Sequence, residues 1–425
     1  MVAAARNRRG GALPRLNAPA TQPLVVVTNW GTHGALLLGA FLAAMAVSAF
    51  LYRRALERAA SFSLAGLIAI AFLALAAAWC VPVLFSSDVY AYAAYGELAR
   101  LGLNPYAHAP SGVRDVLLQD AAWQWGSAFP ICVYGPAFVG LARAVVTAFA
   151  PLGTLAQLDA LRALASAALL SCAPLAYAAF PGDRVARLRA AATIALNPVA
   201  IWCAAEGHND AIALAIVLAG FALVRYELYG IGATIVAFSG LVKLPGAVAA
   251  IALGSLERRA RVGAAIGIVL AALFSIPLFI GIKSSFVPSA HYAAQVSLQG
   301  IVAPFSAPLA LLVAAAACVI LAASGIARLR KGSDEGWVWL GLAGWVLIPN
   351  PYPWYGVWLL ALAALAPRSR AATAALLLSF TALLRYIPDA VATPSPAEAA
   401  VLSVAATLPL LVVLPAWYNE RPDGA

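Results

Sequence analysis

The chain places one carboxylate, Asp88, directly after a long apolar run and follows it with Val89-Tyr90-Ala91-Tyr92-Ala93-Ala94-Tyr95-Gly96-Glu97. A helix that begins there carries Asp88, Tyr92 and Tyr95 at i, i+4 and i+7, so an acid and two phenols share one face. A lone carboxylate so placed can take a proton from a hydroxyl brought beside it, which is the work of a general base. The competing reading is structural, because Ser and Asp are common N-caps and Ser87 or Asp88 would cap the same helix.

Further ionisable residues interrupt an otherwise apolar sequence. Glu206-Gly207-His208-Asn209-Asp210 forms a short polar run, Lys243-Leu244-Pro245-Gly246 sets a cation beside two helix breakers, Lys283, His291 and Tyr292 lie in a longer polar segment, and Arg385-Tyr386 ends a late apolar run. Each has a bland reading. His208 and Asp210 would hydrate a turn, and Lys283 would reach up to lipid headgroups. Lys243 resists such a reading, because its neighbours on both sides are apolar and its charge needs a partner or water.

The elements that must position these residues are set by composition. The 425 residues are 64% hydrophobic and only 10% charged, with a mean hydropathy of +0.89. Uninterrupted apolar stretches such as Leu64 to Phe85, Val262 to Ile282 and Ala303 to Ala323 are long enough as helices to cross a bilayer core of about 30 Å. Barrel-type alternation is missing. The chain is therefore read as all-α, a polytopic integral membrane protein with about 11 to 13 transmembrane helices.

One membrane domain covering residues 1–425 is expected, with a basic tail over 1–33, an external juxtamembrane loop over 86–130 and a second external loop over 283–301. The aromatics of the first loop suit the headgroup layer, so amphipathic helices lying on the membrane are expected there. Lys243-Leu244-Pro245-Gly246 predicts a broken or re-entrant helix lining a polar cavity. The three Asn-Pro pairs, at Asn104, Asn197 and Asn350, read as boundaries between helices.

The net charge of +10 does not point to nucleic acid, because the arginines fall in short clusters between apolar runs, such as Arg53-Arg54-Arg58 and Arg258-Arg259-Arg261. Such clusters mark cytoplasmic loops and leave Asp88, Glu206 to Asp210 and Lys283 to Gly300 on the other side. No cleaved signal peptide is read at the N-terminus. The five cysteines, Cys80, Cys132, Cys172, Cys203 and Cys318, show no close pairing and behave as small hydrophobes.

Taken in order, Asp88 with its aromatic run, Gly102-Leu103-Asn104-Pro105-Tyr106, Val133-Tyr134-Gly135-Pro136, Glu206-Gly207-His208-Asn209-Asp210, Gly240-Leu241-Val242-Lys243-Leu244-Pro245 and Tyr352-Pro353-Trp354-Tyr355 resemble the GT-C superfamily of membrane glycosyltransferases. They look most like the bacterial polyprenol-phosphate-mannose-dependent α-(1→6)-mannosyltransferases. The resemblance implies an inner-membrane enzyme that moves a hexose, mannose, from a polyprenyl-phosphate donor to a lipid-linked or glycan acceptor on the non-cytoplasmic face.

It also implies Asp88 as general base. Lys283, Arg385 and Lys243 are the candidates to meet the donor phosphate, and Tyr92, Tyr95, Glu206, His208, Asp210, His291 and Tyr292 the candidates to line the substrate site. Ser86-Ser87-Asp88-Val89 lacks the paired acids of some GT-C branches, so no divalent cation or other cofactor is predicted. The rival reading is a transporter or lipid flippase, whose path the mid-membrane Lys243 would mark. Only one helix break is evident, whereas transporters often carry matched breaks in two halves.

Overall fold

The computed structural model describes residues 32–81, 86–110, 118, 129–279, 294–387 and 396–414. Among the described residues there are 17 α-helices and no strands, and the protein is an all-α polytopic membrane protein. The described residues divide into two compact units, one within Ala59–Leu196 and Ile201–Val287, the other within Val27–Arg58, Asn197–Ala200 and Pro288–Ala425.

Four described helices are long and apolar enough to cross a membrane, Leu38–Glu57, Thr154–Ala179, Ala307–Arg330 and Pro396–Val413, or up to 5 if a pair bent by 49° counts as one span. That is fewer than the 11 to 13 expected. Six further apolar helices of 10–17 residues lie among the described residues.

The first unit contains α2 (Leu64–Trp79), α3 (Asp88–Arg100), α4 (Pro136–Phe149), α5 (Thr154–Ala179), α6 (Arg184–Ala195), α8 (Asp210–Arg225), α9 (Tyr229–Ser239), α10 (Pro245–Leu256) and α11 (Arg261–Phe279). The chain passes between the units through α7 (Pro198–Ala205). Asn197 Oδ1 accepts from the backbone N–H groups of Val199 and Ala200 at 3.0 and 3.1 Å, so this Asn-Pro pair ends one helix and starts the next as expected.

α3 begins at Asp88, and its first turn is supported by Ser86 Oγ, which accepts from Asp88 N at 3.2 Å. The carboxylate of Asp88 is thus not the cap. The helix expected at the membrane face packs within the protein. Asp88 through Gly96 and Leu98 are all buried, because alanine and glycine let neighbouring helices approach from several sides. At Gly96 a Cβ would lie 2.8 Å from Ala142 O of α4.

The break at Lys243 is present. α9 stops at Ser239, Lys243 N donates to Ser239 O at 2.9 Å, and α10 restarts with Pro245 in its first turn. The turn packs on the start of α4, where Ala137 N donates to Leu241 O at 3.0 Å. Gly135 is required there, since a Cβ would fall 2.0 Å from Leu241 O.

The second unit contains α1 (Thr32–Glu57), α12 (Leu298–Val302), α13 (Ala307–Arg330), α14 (Glu335–Leu347), α15 (Gly356–Leu365), α16 (Arg370–Thr381) and α17 (Pro396–Thr407). Its core is built from Trp339, Leu342, Leu360 and the alanine-rich face of α16. Leu311, Leu312 and Val319 on α13 stay more than half exposed, as do Val269, Leu273 and Phe274 on α11 of the first unit. Such faces suit lipid rather than water.

Candidate active site

Four elements of the first unit converge around Asp88. The helix start of α3 supplies Asp88 and Tyr92, the turn between α7 and α8 supplies Glu206 to Asn209, α8 opens with Asp210, and the break between α9 and α10 supplies Lys243. Asp88, Glu206, His208, Asn209 and Asp210 are each at most 4% exposed. Burying several ionisable groups together is costly unless they are paired or used.

The pairing is uneven. Asp210 is ion-paired with Lys243 Nζ, and that ammonium also donates to Asn209 Oδ1 at 3.3 Å. Asp88 has no Lys or Arg partner among the described residues. Its Oδ2 lies 3.5 Å from His208 Nδ1 and accepts from Tyr92 OH at 3.4 Å. The Tyr92 hydroxyl is shared with Asn209 Oδ1 at 3.3 Å. Burial first, and the negative charge of Asp88 second, push the Tyr92 phenol well above its ordinary value, so it stays protonated and donates. The carboxylate thus accepts from a phenol and lies beside an imidazole rather than a fixed cation.

Aromatic rings wall this cluster. Tyr92 meets Tyr134 and Phe138 edge to face, with centroids 4.8 and 4.6 Å apart. Tyr95 shares the helix face as expected, but its hydroxyl is engaged by Pro130 O at 2.9 Å. Tyr106 OH donates to Tyr134 O at 2.7 Å, and Asn104 Nδ2 donates to Leu278 O at 2.9 Å. The Gly-Leu-Asn-Pro-Tyr and Val-Tyr-Gly-Pro segments therefore brace the ring wall.

Sequence reasoning missed Arg162 of α5. It is 1% exposed, its Nε donates to Ala205 O at 2.7 Å, and its guanidinium lies 4.4 Å from the centre of the Trp79 ring. It thus holds the last carbonyl of α7 and fixes the turn that carries His208. The signal was a charged residue inside a 26-residue apolar helix, a placement that marks function or partnership by default. Asn209 lay in a motif already singled out, yet its side chain, which links Tyr92 to Lys243, was not.

Gly207 lets the turn close. Its φ is +95°, and a Cβ there would meet Val89 Cγ2 at 2.9 Å. Gly207→Ala is expected to destabilise the protein by about 1–3 kcal/mol from backbone strain and crowding together. Thermal unfolding of the detergent-solubilised variant checks this, and an unchanged midpoint would contradict the packing described.

Of the remaining candidates, Lys283, His291 and Tyr292 lie outside the described residues. Arg385 belongs to the second unit, where its Nη2 donates to Tyr352 OH at 3.0 Å and Tyr352 stacks on Trp354 at 4.4 Å with 7° between planes. Among the described residues no group of three or more His, Cys, Asp or Glu is arranged to hold a metal ion.

Residues 1–259 match the family described as alpha-(1->6)-mannopyranosyltransferase, N-terminal domain. Alpha-(1->6)-mannopyranosyltransferase A of Mycobacterium tuberculosis is 42% identical over 72 residues, a match that covers 16% of this chain and 14% of that relative. No solved structure matches the chain.

Proposed function

The chain belongs to the alpha-(1->6)-mannopyranosyltransferase family, and from that premise we propose that it transfers mannose from a polyprenyl-phosphate donor to a lipid-linked or glycan acceptor, with Asp88 as general base. The observation that carries the reading is the buried Asp88 carboxylate, 4% exposed and flanked by Tyr92 and His208.

In the proposed step Asp88 takes the proton of an acceptor hydroxyl as that oxygen attacks the anomeric carbon. The bond from that carbon to the phosphate oxygen breaks, and the polyprenyl phosphate leaves with the electron pair, inverting the anomeric centre. Because the phosphate is already a good leaving group, no general acid is needed. Charge grows on the departing phosphate, and a preorganised cation in a partly dry site stabilises it. Lys243, held in place by Asp210 and Asn209, is the cation in this cluster suited to that role. His208 orients the base, and Glu206 and Tyr92 border the sugar. The reaction is assigned to the non-cytoplasmic face of the inner membrane on the arginine distribution of the loops.

A lipid-anchored donor enters sideways from the bilayer with its tail still in lipid, whereas a nucleotide sugar would need a water-facing phosphate cradle that the short basic loops do not supply. Purified protein supplied with an acceptor glycan is therefore expected to transfer mannose from polyprenyl-phosphate-mannose and not from GDP-mannose. Efficient transfer from the nucleotide sugar without a lipid carrier would overturn the donor assignment, and no transfer from either would count against the activity itself.

A further inference from the structure

Away from the Asp88 cluster, α9 and α11 pack so closely at their N-terminal ends that their backbones touch. A Cβ on Gly263 would fall 2.1 Å from Gly230 O, and Thr234 Oγ1 donates to both Gly230 O and Gly263 O, at 2.9 and 3.0 Å. The larger side chains on either side of this contact leave a groove of about 360 Å³. Ile231, Ile235, Val262 and Ile266 line it, with Arg259 at one end.

The apolar walls are open to the surroundings, with Ile231 59% and Val262 67% exposed. The basic end is built rather than incidental. The Arg259 guanidinium lies 5.3 Å from the centre of the Tyr229 ring, while its own backbone N–H donates to Glu257 Oε1 at 3.0 Å and fixes the turn before α11. Arg258 and Arg261 flank it in sequence, and Arg261 Nε is occupied by Gly254 O at 3.1 Å.

We propose that this groove is a binding site for an anionic phospholipid, with the headgroup phosphate on Arg259 and one acyl chain along Ile231, Ile235, Val262 and Ile266. The charge pattern carries the assignment. A groove apolar along its length and cationic at one end complements a molecule that is anionic at the head and apolar in the tail. The guanidinium fork suits phosphate oxygens in particular, and basic pockets between membrane helices are known anionic-lipid sites. The site is separate from the proposed sugar transfer and does not depend on it.

The test uses full-length protein in detergent, with phosphatidylglycerol and phosphatidylcholine of identical acyl chains and bound lipid read by native mass spectrometry. The wild type is expected to retain phosphatidylglycerol about fivefold better, in line with ~1 kcal/mol for one arginine near a headgroup. Arg259→Gln should remove that preference, while Arg258→Gln, which leaves the groove intact, should keep it. Ile231→Trp fills the groove from its exposed wall and should lower retention of both lipids. Equal retention of the two lipids by the wild type, equal loss in both arginine variants, or displacement of phosphatidylglycerol by equimolar inorganic phosphate would each overturn the proposal.

Discussion

Asp88→Asn is expected to reduce mannosyl transfer by roughly 10²–10⁴ while leaving the protein folded and inserted. The amide oxygen still accepts from Tyr92, and the side chain keeps its volume against His208, so the packing of α3 survives. Only the capacity to take up a proton is lost. Turnover of the purified variant with a labelled polyprenyl-phosphate-mannose donor, beside its elution profile in detergent, makes the comparison. Turnover near that of the wild type would remove Asp88 from the reaction.

Lys243→Met carries the second large expectation, this time on stability. Asp210 is 1% exposed, and losing its ammonium partner leaves a buried charge without its counter-charge, which costs about 3–5 kcal/mol when one member of such a pair is removed. Lys243→Met combined with Asp210→Asn should recover most of that loss, because neither charge is then left alone. Thermal unfolding of the two single variants and the double variant closes the cycle. A Lys243→Met protein as stable as the wild type would mean that the pair does not hold the broken helix.

The break at Lys243 was legible because a cation, a proline and a glycine in succession have few accommodations within apolar sequence, and the structure supplies one of them, with Asp210 as partner. The start of α3 at Asp88 was legible for a similar local reason. The burial of α3 was not. Tyrosine and alanine in alternation read equally well as a surface helix with an aromatic face and as a helix enclosed by neighbours, and only the approach of α4 at Gly96 and Ala142 decides between them. Arg162 went unread because, beside its near neighbour Asp159, its contacts with Ala205 O and the Trp79 ring join positions far apart along the chain. The contact set of a buried arginine is a tertiary fact.

The seam between Gly135 and Leu241 bears on how this protein can be re-engineered. Two segments more than a hundred positions apart meet backbone to backbone, with no side chain between them to absorb a mismatch. Chimeras with a relative should therefore tolerate crossovers that keep 133–137 and 240–245 from the same parent. Those that split the two would graft one half of a fitted joint onto another, and the misfit would fall where the ring wall meets Lys243.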